Sequence, residues 1–314
     1  MNERSDAEPG NPFGHPALFY GDDGEYLDGT VPFVRAGLDA GEPVAVAVPG
    51  PRLAVLRAAL GTAASAVTWL DMADAGRNPG RIIPGVLRAF ADRHPGRVRI
   101  IGEPIWAGRT TLEYPACAQH EALINLAFAG RQATILCPYD TTALHARVIT
   151  DAHATHPMVI DRDGERPSPQ YAPDSVIDRY NEPLPEPPPG RTPEEFPYDS
   201  DRLPQMRTFA RARASALGLD DRRADDLELA VNELGANSIV HAAGKGVLRI
   251  WAEDDHVVSE VRDDGQITDP LVGRLPVDLS TDGGRGLLMV NHLTDLVRIH
   301  TSPQGTTIRI YMSL

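Results

Sequence analysis

The sequence predicts an α/β chain in two parts: a doubly wound N-terminal domain with a parallel sheet, a proline-rich linker, and a C-terminal α+β two-layer sandwich. Three observations predict it. Over the first half, near-continuous apolar runs alternate with amphipathic segments, the pattern of strands covered on both faces by crossover helices. Residues 161–200 then hold ten prolines and more acid than base, ending in "EPLPEPPPGRTPEEFP". Beyond them, two helical patterns are followed by runs that alternate with period two, as in antiparallel strands with one face on a core. The expected boundaries are 1–160, a linker at 161–197, and 198–314.

In the first part the strand candidates are "ALFY" (17–20), "VAVAV" (44–48), "VTWL" (67–70), "VRII" (98–101) and "ATILC" (133–137). Helical patterns lie between them at 25–39, 51–60, 81–93, 113–129 and 141–153, and Gly41 stands where the first would end. Proline at the density of the linker forms neither helix nor central strand and favours extended polyproline II, so that stretch reads as a semi-rigid spacer. After it, 203–217 reads as a helix stopped by Gly218, and a second helix starts near Asp221. "GVLRIWAE" and "HVVSEVRDDG" read as paired strands. A glycine-rich segment, a helix through "GLLMVNHLTD" and a last hairpin, "LVRIHTS" with "TTIRIYMSL", complete the chain.

With 314 residues and 42% apolar composition, each part has enough material for its own core. No apolar run reaches the roughly 18 residues of a membrane span, and no signal pattern opens the chain, so a cytoplasmic protein with no membrane contact is expected. The net charge of −14 argues against non-specific nucleic-acid binding, which needs basic patches. Two cysteines, Cys117 and Cys137, indicate no disulfide framework. Protein or small-molecule partners fit this composition better.

The stretch that carries chemistry is "LELAVNELGANSIVHA", 227–242. Its apolar residues recur at helical spacing, yet Glu233, Asn237 and His241 also follow one another at four-residue steps, a polar stripe on a second face. Three further islands follow: "DDG" at 263–265, "DGGRG" at 282–286 and "GTT" at 305–307. An Asp after a strand, followed by Gly, presents a carboxylate with close backbone access. Glycines 283, 284 and 286 before a helix offer bare N–H groups and a helix dipole to an anion. A carboxamide oxygen on a neighbouring helix suits a hard cation such as Mg²⁺. Together these describe a nucleoside triphosphate site without a Walker loop.

In order and spacing these motifs resemble the GHKL (Bergerat-fold) ATPases, in particular the branch of anti-sigma-factor serine kinases. "ELGAN" resembles the N box, and "DDG", "GGRGL" and "GTT" resemble the first, second and third glycine boxes. The resemblance implies ATP and Mg²⁺ as cofactors. By it, Asn237 would hold Mg²⁺ between the phosphates, and Asp263 would accept from the adenine amino group, with Gly265 leaving room for the ring. Gly284, Arg285 and Gly286 would lie in a lid near the phosphates, and Thr306 or Thr307 would complete the adenine end. Glu233 would be the general base that takes the proton of an incoming serine hydroxyl. Sensor histidine kinases more often carry an amide there and need a phospho-accepting His, which the 203–217 helix lacks. His241 belongs either to helix-end packing or to the nucleotide site. One departure stands out: Ile267 replaces the last glycine of the first box, and a β-branched residue does not readily take positive φ.

"HPALFYGDDGEYL", "VPFVRAGLDAGEPVAVAVPGPR", "IGEPIWAGR" and "LCPYDT" resemble the MEDS domain, a sensory module of RecA-like character, and the two halves together resemble RsbA-type anti-sigma regulators. "VAVAVPGPRLAVL" falls where a P-loop would, but lacks Gly-Lys-Ser/Thr, and Pro49 and Pro51 remove N–H donors. Ligands of open α/β sheets bind beyond the strand carboxyl ends. That selects Glu103, Trp106 and Arg109, with Cys137, Tyr139 and Asp140, as candidates for a sensory pocket for an unknown small molecule; loop packing and ion pairs account for them equally well. His153 and His156 with Cys117 or Cys137 have a spacing zinc accepts, but without Cys-x-x-Cys or a second His pair no metal is assigned there. His15 and His120 read as packing residues.

The expected function is therefore an ATP-dependent serine/threonine kinase that phosphorylates an anti-anti-sigma (STAS-domain) protein, sequesters a sigma factor, or does both, under control of the N-terminal domain. The competing expectation is a non-catalytic ATP-dependent protein-binding module or a sensor-histidine-kinase-like ATPase. A small-molecule enzyme centred on the first domain lacks a nucleophile–base pair at recognisable spacing.

Overall fold

A computed structural model describes residues 12–276 and 284–314, so Asp282 and Gly283 of the glycine-rich segment lie outside the described residues. The chain forms two compact units, one from the chain up to Ala75 together with Val86–Ile177, the other from Gly76–Gly85 and Asp178–Leu314. Among the described residues no helix is long and apolar enough to cross a membrane.

The first unit is an eight-stranded sheet: β1 (Phe13–Gly14), β2 (Pro16–Tyr20), β3 (Val44–Val48), β4 (Val67–Asp71), β5 (Val98–Gly102), β6 (Ala133–Asp140), β7 (Met158–Asp161) and β8 (Gly164–Pro167). The strand order is β4-β3-β5-β6-β2-β7-β8, with β1 also pairing β6. Every pairing is parallel except the β7–β8 hairpin. All five residues of β2 and of β3 are buried, because helices cover both faces of the sheet. Those helices are α1 (Asp23–Asp39), α2 (Gly50–Leu60), α3 (Met72–Ala75), α4 (Ala89–Ala91), α5 (Tyr114–Ala127) and α6 (Ala146–Thr155). Asp22 caps α1 by accepting from the Glu25 N–H at 2.9 Å.

The helix expected over 81–93 is instead broken into a 3₁₀ turn (Pro79–Arg81), a π-helical stretch (Ile83–Arg88) and α4. Pro84 and Gly85 account for the break, since proline withdraws an N–H and glycine weakens the helix. The linker expected at 161–197 is also more ordered than its prolines suggest. It carries the β7–β8 hairpin and α7 (Pro173–Arg179), and its longest stretch without helix or strand is 180–193.

The second unit is an antiparallel sheet ordered β12-β13-β11-β10-β9, built from β9 (Glu194–Asp199), β10 (Lys245–Glu253), β11 (His256–Asp263), β12 (Leu296–Ser302) and β13 (Gly305–Ser313). β9, read from the sequence as linker, is an edge strand, where Pro197 withdraws no ladder hydrogen bond that the sheet needs. One face packs on α8 (Leu203–Ala216), α9 (Asp221–His241) and α10 (Gly286–Leu293), through Met206, Leu227, Val231 and Leu234 against Leu248, Ile250, Val261 and Ile310.

The opposite face is charged and buried. Glu260, with no exposure, accepts from Arg249 at 2.8 Å, Arg262 at 2.7 Å and Arg309 at 2.8 Å. Arg309 also donates to the Pro185 carbonyl at 2.8 Å, and Glu186 accepts from Arg249 at 2.9 Å and Arg262 at 2.8 Å. The proline-rich stretch is therefore a strap fastened across this sheet. The Gly76–Gly85 segment counts with the same unit: buried Asn78 donates to the carbonyls of Asn291 (3.0 Å) and Thr294 (3.2 Å) at the end of α10.

Candidate nucleotide site and comparisons with known proteins

α9 begins at a cap, Asp220 accepting from the Arg223 N–H at 2.8 Å, and buries Leu227, Ala230, Val231, Leu234 and Ser238. Burying that stripe turns Glu233 and Asn237 to the adjoining face, where both are half-buried. β11 ends at Asp263 in register with Thr306 of β13, which brings the "DDG" and "GTT" islands side by side. The result is a cavity of about 400 Å³ lined by Asn237, Asp263, Gly265, Gly284, Gly286 and Thr306, with Ile267 and Leu287 among its apolar walls. That volume lies within the usual range for small-molecule sites.

Asp263 is held from two sides. Oδ1 accepts from the Gly265 N–H at 2.8 Å, and Oδ2 accepts from the Ser238 hydroxyl at 2.6 Å. Ser238 in turn accepts from Tyr198 at 2.9 Å. Each carboxylate oxygen keeps a lone pair free for a further donor, so the site can still take a ligand amino group. Thr306 donates to the Gly265 carbonyl at 2.8 Å and fixes that turn. A Cβ built on Gly265 would lie 2.9 Å from the Ala242 Cβ and 3.0 Å from Asp263 Oδ1, so only glycine lets the chain pass this close.

At the other end, a Cβ on Gly286 would lie 3.0 Å from Glu233 Oε2 and 3.3 Å from Asn237 Nδ2. The start of α10 thus meets the carboxylate and the carboxamide directly. Its N-cap, Arg285, gives no side-chain hydrogen bond to the helix, a helix start suited to phosphate oxygens. Glu233 Oε1 accepts from Asn232 at 3.3 Å, and Oε2 faces Gly286, though Glu233 itself is not among the residues that line the cavity. The Asn237 carboxamide oxygen beside a helix N-terminus is a donor that fits Mg²⁺ shared with phosphates.

Some expected site residues stand apart from the cavity. Arg285 is exposed at the helix start and does not line it. Thr307 points away, because alternate residues of a strand face opposite sides; it lines a larger groove of about 670 Å³ with Arg202, Lys245 and Arg262. That groove lacks Asn237, Gly284 and Gly286, so its size does not make it the better nucleotide site. His241 lines the cavity. Ile267 causes no backbone strain: among the described residues Asp254 is the one non-glycine with positive φ. Its N–H donates to Thr301 at 2.9 Å and its side chain packs on the core. Ser238 gives no signal in the sequence, because it lies on the buried side of the helix and the polar stripe runs along another face.

In the first unit the sensory candidates divide. Trp106 and Arg109 line a cavity of about 430 Å³ with Tyr114, Leu144 and His145. The Arg109 guanidinium stacks 4.1 Å from the Trp106 ring centroid and pairs with Glu113 at 2.8 Å. The other four do not line it. Asp140 accepts from Thr142 and Ala143 N–H groups, both at 3.0 Å, and shapes the loop after β6. Glu103 is 4% exposed, and burial pushes its carboxyl up to about 8 against the nearby Arg52 charge. Cys137 and Tyr139 are buried inside the unit.

Comparison with known proteins follows the same division. Residues 14–157 match the MEDS family, "MEthanogen/methylotroph, DcmR Sensory domain", and residues 196–312 match the "Histidine kinase-like ATPase domain" family. Among solved structures, the RsbU and RsbW domains of Rv1364c from Mycobacterium tuberculosis are similar over 39% of this chain and 32% of that one, at 22% identity and a TM-score of 0.31. This chain thus spans about a third of that relative. The histidine kinase AdeS from Acinetobacter baumannii is similar over 64% of this chain and 96% of that one, at 12% identity and a TM-score of 0.24. No curated protein matches. The chain joins a MEDS domain, residues 14–157, to a histidine kinase-like ATPase domain, residues 196–312.

Proposed function

We propose that the second unit binds Mg-ATP in the 400 Å³ cavity and transfers the γ-phosphoryl group to a serine of a partner protein, an anti-anti-sigma factor of the STAS type. The single observation that carries this reading is the meeting of Glu233, Asn237 and the start of α10 at Gly286, with Asn237, Gly286 and Asp263 lining one cavity. The adenine amino group would donate to Asp263, and Mg²⁺ would take the Asn237 amide oxygen. Glu233 would accept the serine proton as the oxygen attacks phosphorus and ADP departs. Mg²⁺ supplies charge neutralisation on the phosphates; the chain's own residues orient the nucleotide and hold the proton.

The first unit would act as the sensor, its ligand a small molecule in the cavity beside Trp106 and Arg109. A sigma factor is the second partner of such a switch. Incubation of the whole chain with γ-labelled ATP, Mg²⁺ and STAS-domain proteins tests the proposal. Serine labelling supports it; nucleotide binding without any labelling removes the kinase half. A second reading, in which ATP only shapes a protein-docking surface, draws on the Ile267 side chain that walls the cavity where the family motif has glycine. Under that reading Glu233→Gln leaves partner binding and partner state unchanged.

A further inference from the structure

The first unit holds a cluster that the nucleotide site does not use. His15 between β1 and β2, Glu121 on α5, Cys137 on β6 and His156 at the end of α6 come from four separate segments, and each is at most 1% exposed. One ligand-type atom from each lies within 4.8 Å of all the others. Glu121 Oε2 is 3.4 Å from His15 Nε2 and 3.4 Å from His156 Nε2, and Cys137 Sγ is 3.4 Å from His15 Nε2. Donor atoms around a tetrahedral zinc-sized ion, with bonds of about 2.0–2.3 Å, stand about 3.3–3.7 Å apart.

The hydrogen-bond network sets both imidazole tautomers. Asn125 donates its amide N–H groups to the carbonyls of Ala122 (3.1 Å) and Thr155 (2.8 Å). Its Oδ1 is therefore the atom that faces His15 Nδ1, at 3.1 Å, and Nδ1 must carry the proton. His156 Nδ1 faces the Ala152 carbonyl at 2.8 Å and must carry a proton too. In the neutral rings both Nε2 atoms are then lone pairs, each 3.4 Å from Glu121 Oε2. The Cys137 thiol can satisfy one of them. His156 Nε2 and both Glu121 oxygens have no hydrogen-bond partner, a costly set of buried acceptors that a bound cation would satisfy. Ring N–H groups anchored on oxygens, with the opposite nitrogens converging, are the outer-shell pattern of metal-bound histidines.

We propose that His15, Glu121, Cys137 and His156 form a four-coordinate site for a divalent ion of the zinc class, with Cys137 bound as thiolate. One carboxylate and one thiolate neutralise the ion's charge, so the filled site buries no net charge. The ion ties β1–β2, β6, α5 and α6 together at the core of the sensory unit.

The test uses the purified, untagged full chain. After chelation and re-loading with Zn²⁺, elemental analysis of gel-filtered wild type should give about one equivalent per chain, with an unfolding midpoint raised by at least about 5 °C over the stripped protein. Loading with Co²⁺ should produce a thiolate-to-cobalt charge-transfer band. Cys137→Ser should lose the band, and Glu121→Gln, which keeps the side chain's shape, should lose most of the stoichiometric metal and the thermal shift. Wild type that retains no metal after exposure to excess Zn²⁺ or Co²⁺ overturns the proposal. So does equal metal content in wild type and both variants, which would put the ion elsewhere.

Discussion

The hydroxyl of Ser238 donates to Oδ2 of Asp263 at 2.6 Å, a bond between the buried side of α9 and the end of β11. It joins the helix that carries Glu233 and Asn237 to a carboxylate that lines the same cavity as Asn237. Removing it frees Asp263 to rotate and leaves the buried Tyr198 hydroxyl without its acceptor. Ser238→Ala should weaken Mg-ATP binding by about five- to tenfold, the worth of one charge-assisted hydrogen bond seen through a positioning residue. Asp263→Asn, which turns an acceptor partly into a donor, should weaken it by about 10- to 100-fold. Calorimetric titration of both variants against wild type, with circular dichroism to confirm folding, checks the order. Equal affinities would detach Asp263 from the nucleotide.

Glu233 and Asn237 are four residues apart on α9, yet their predicted roles differ in what they should change. Glu233→Gln keeps shape and hydrogen bonding but cannot accept a proton. Phosphoryl transfer to the partner serine should fall by about 10²- to 10⁴-fold while ATP affinity stays within about threefold. Asn237→Ala should instead weaken Mg-ATP binding itself. Single-turnover transfer assays beside nucleotide titrations separate the two effects. A Glu233→Gln protein with full transfer rate would remove the general-base role.

Which elements are legible in the sequence, and which are hidden, follows from how each group is buried. β2, β3, β5 and β6 are legible because interior parallel strands covered on both faces must be largely apolar. The polar stripe of α9 is legible because a core helix needs only one periodicity, and a second one marks a second working face. β9 is hidden: an acidic, proline-bearing edge strand carries the composition of a linker, and only its pairing with β10 reveals it. The strap at Pro185–Glu186 is hidden for the same reason, since the arginines that hold it lie more than 60 residues away along the chain. His15, Glu121, Cys137 and His156 carry no local spacing signal, because each comes from a different segment.

Glu260 is the hub of the charged face of the second unit, fully buried among Arg249, Arg262 and Arg309. Removing it leaves the buried Arg309 guanidinium without its carboxylate partner and takes one of the partners of Arg249 and Arg262, and Glu260→Ala should cost about 3–5 kcal/mol of stability. The loss should also loosen the strap that Arg309 and Arg249 hold. Denaturant unfolding measures the first effect, and limited proteolysis within 180–193 the second. Unchanged cleavage in a destabilised variant would show that the strap is held by something other than this network.

Glu103 allows a pH prediction with a definite sign. Burial, opposed by Arg52 and helped by Asp140, raises its carboxyl from an ordinary value near 4.5 to about 8. Between those values the folded protein keeps a proton that the unfolded chain releases, so this group's contribution to stability is full below about pH 4.5 and is lost as pH rises towards 8. One such proton gives a slope approaching about 1.4 kcal/mol per pH unit. Glu103→Gln has no proton to lose, so its stability relative to wild type should climb steadily across this window. Calorimetric midpoints of the two proteins from pH 4.5 to 8 report the difference directly. Parallel curves would mean that Glu103 ionises in the folded protein at its ordinary value, with Arg52 close enough to hold the charge.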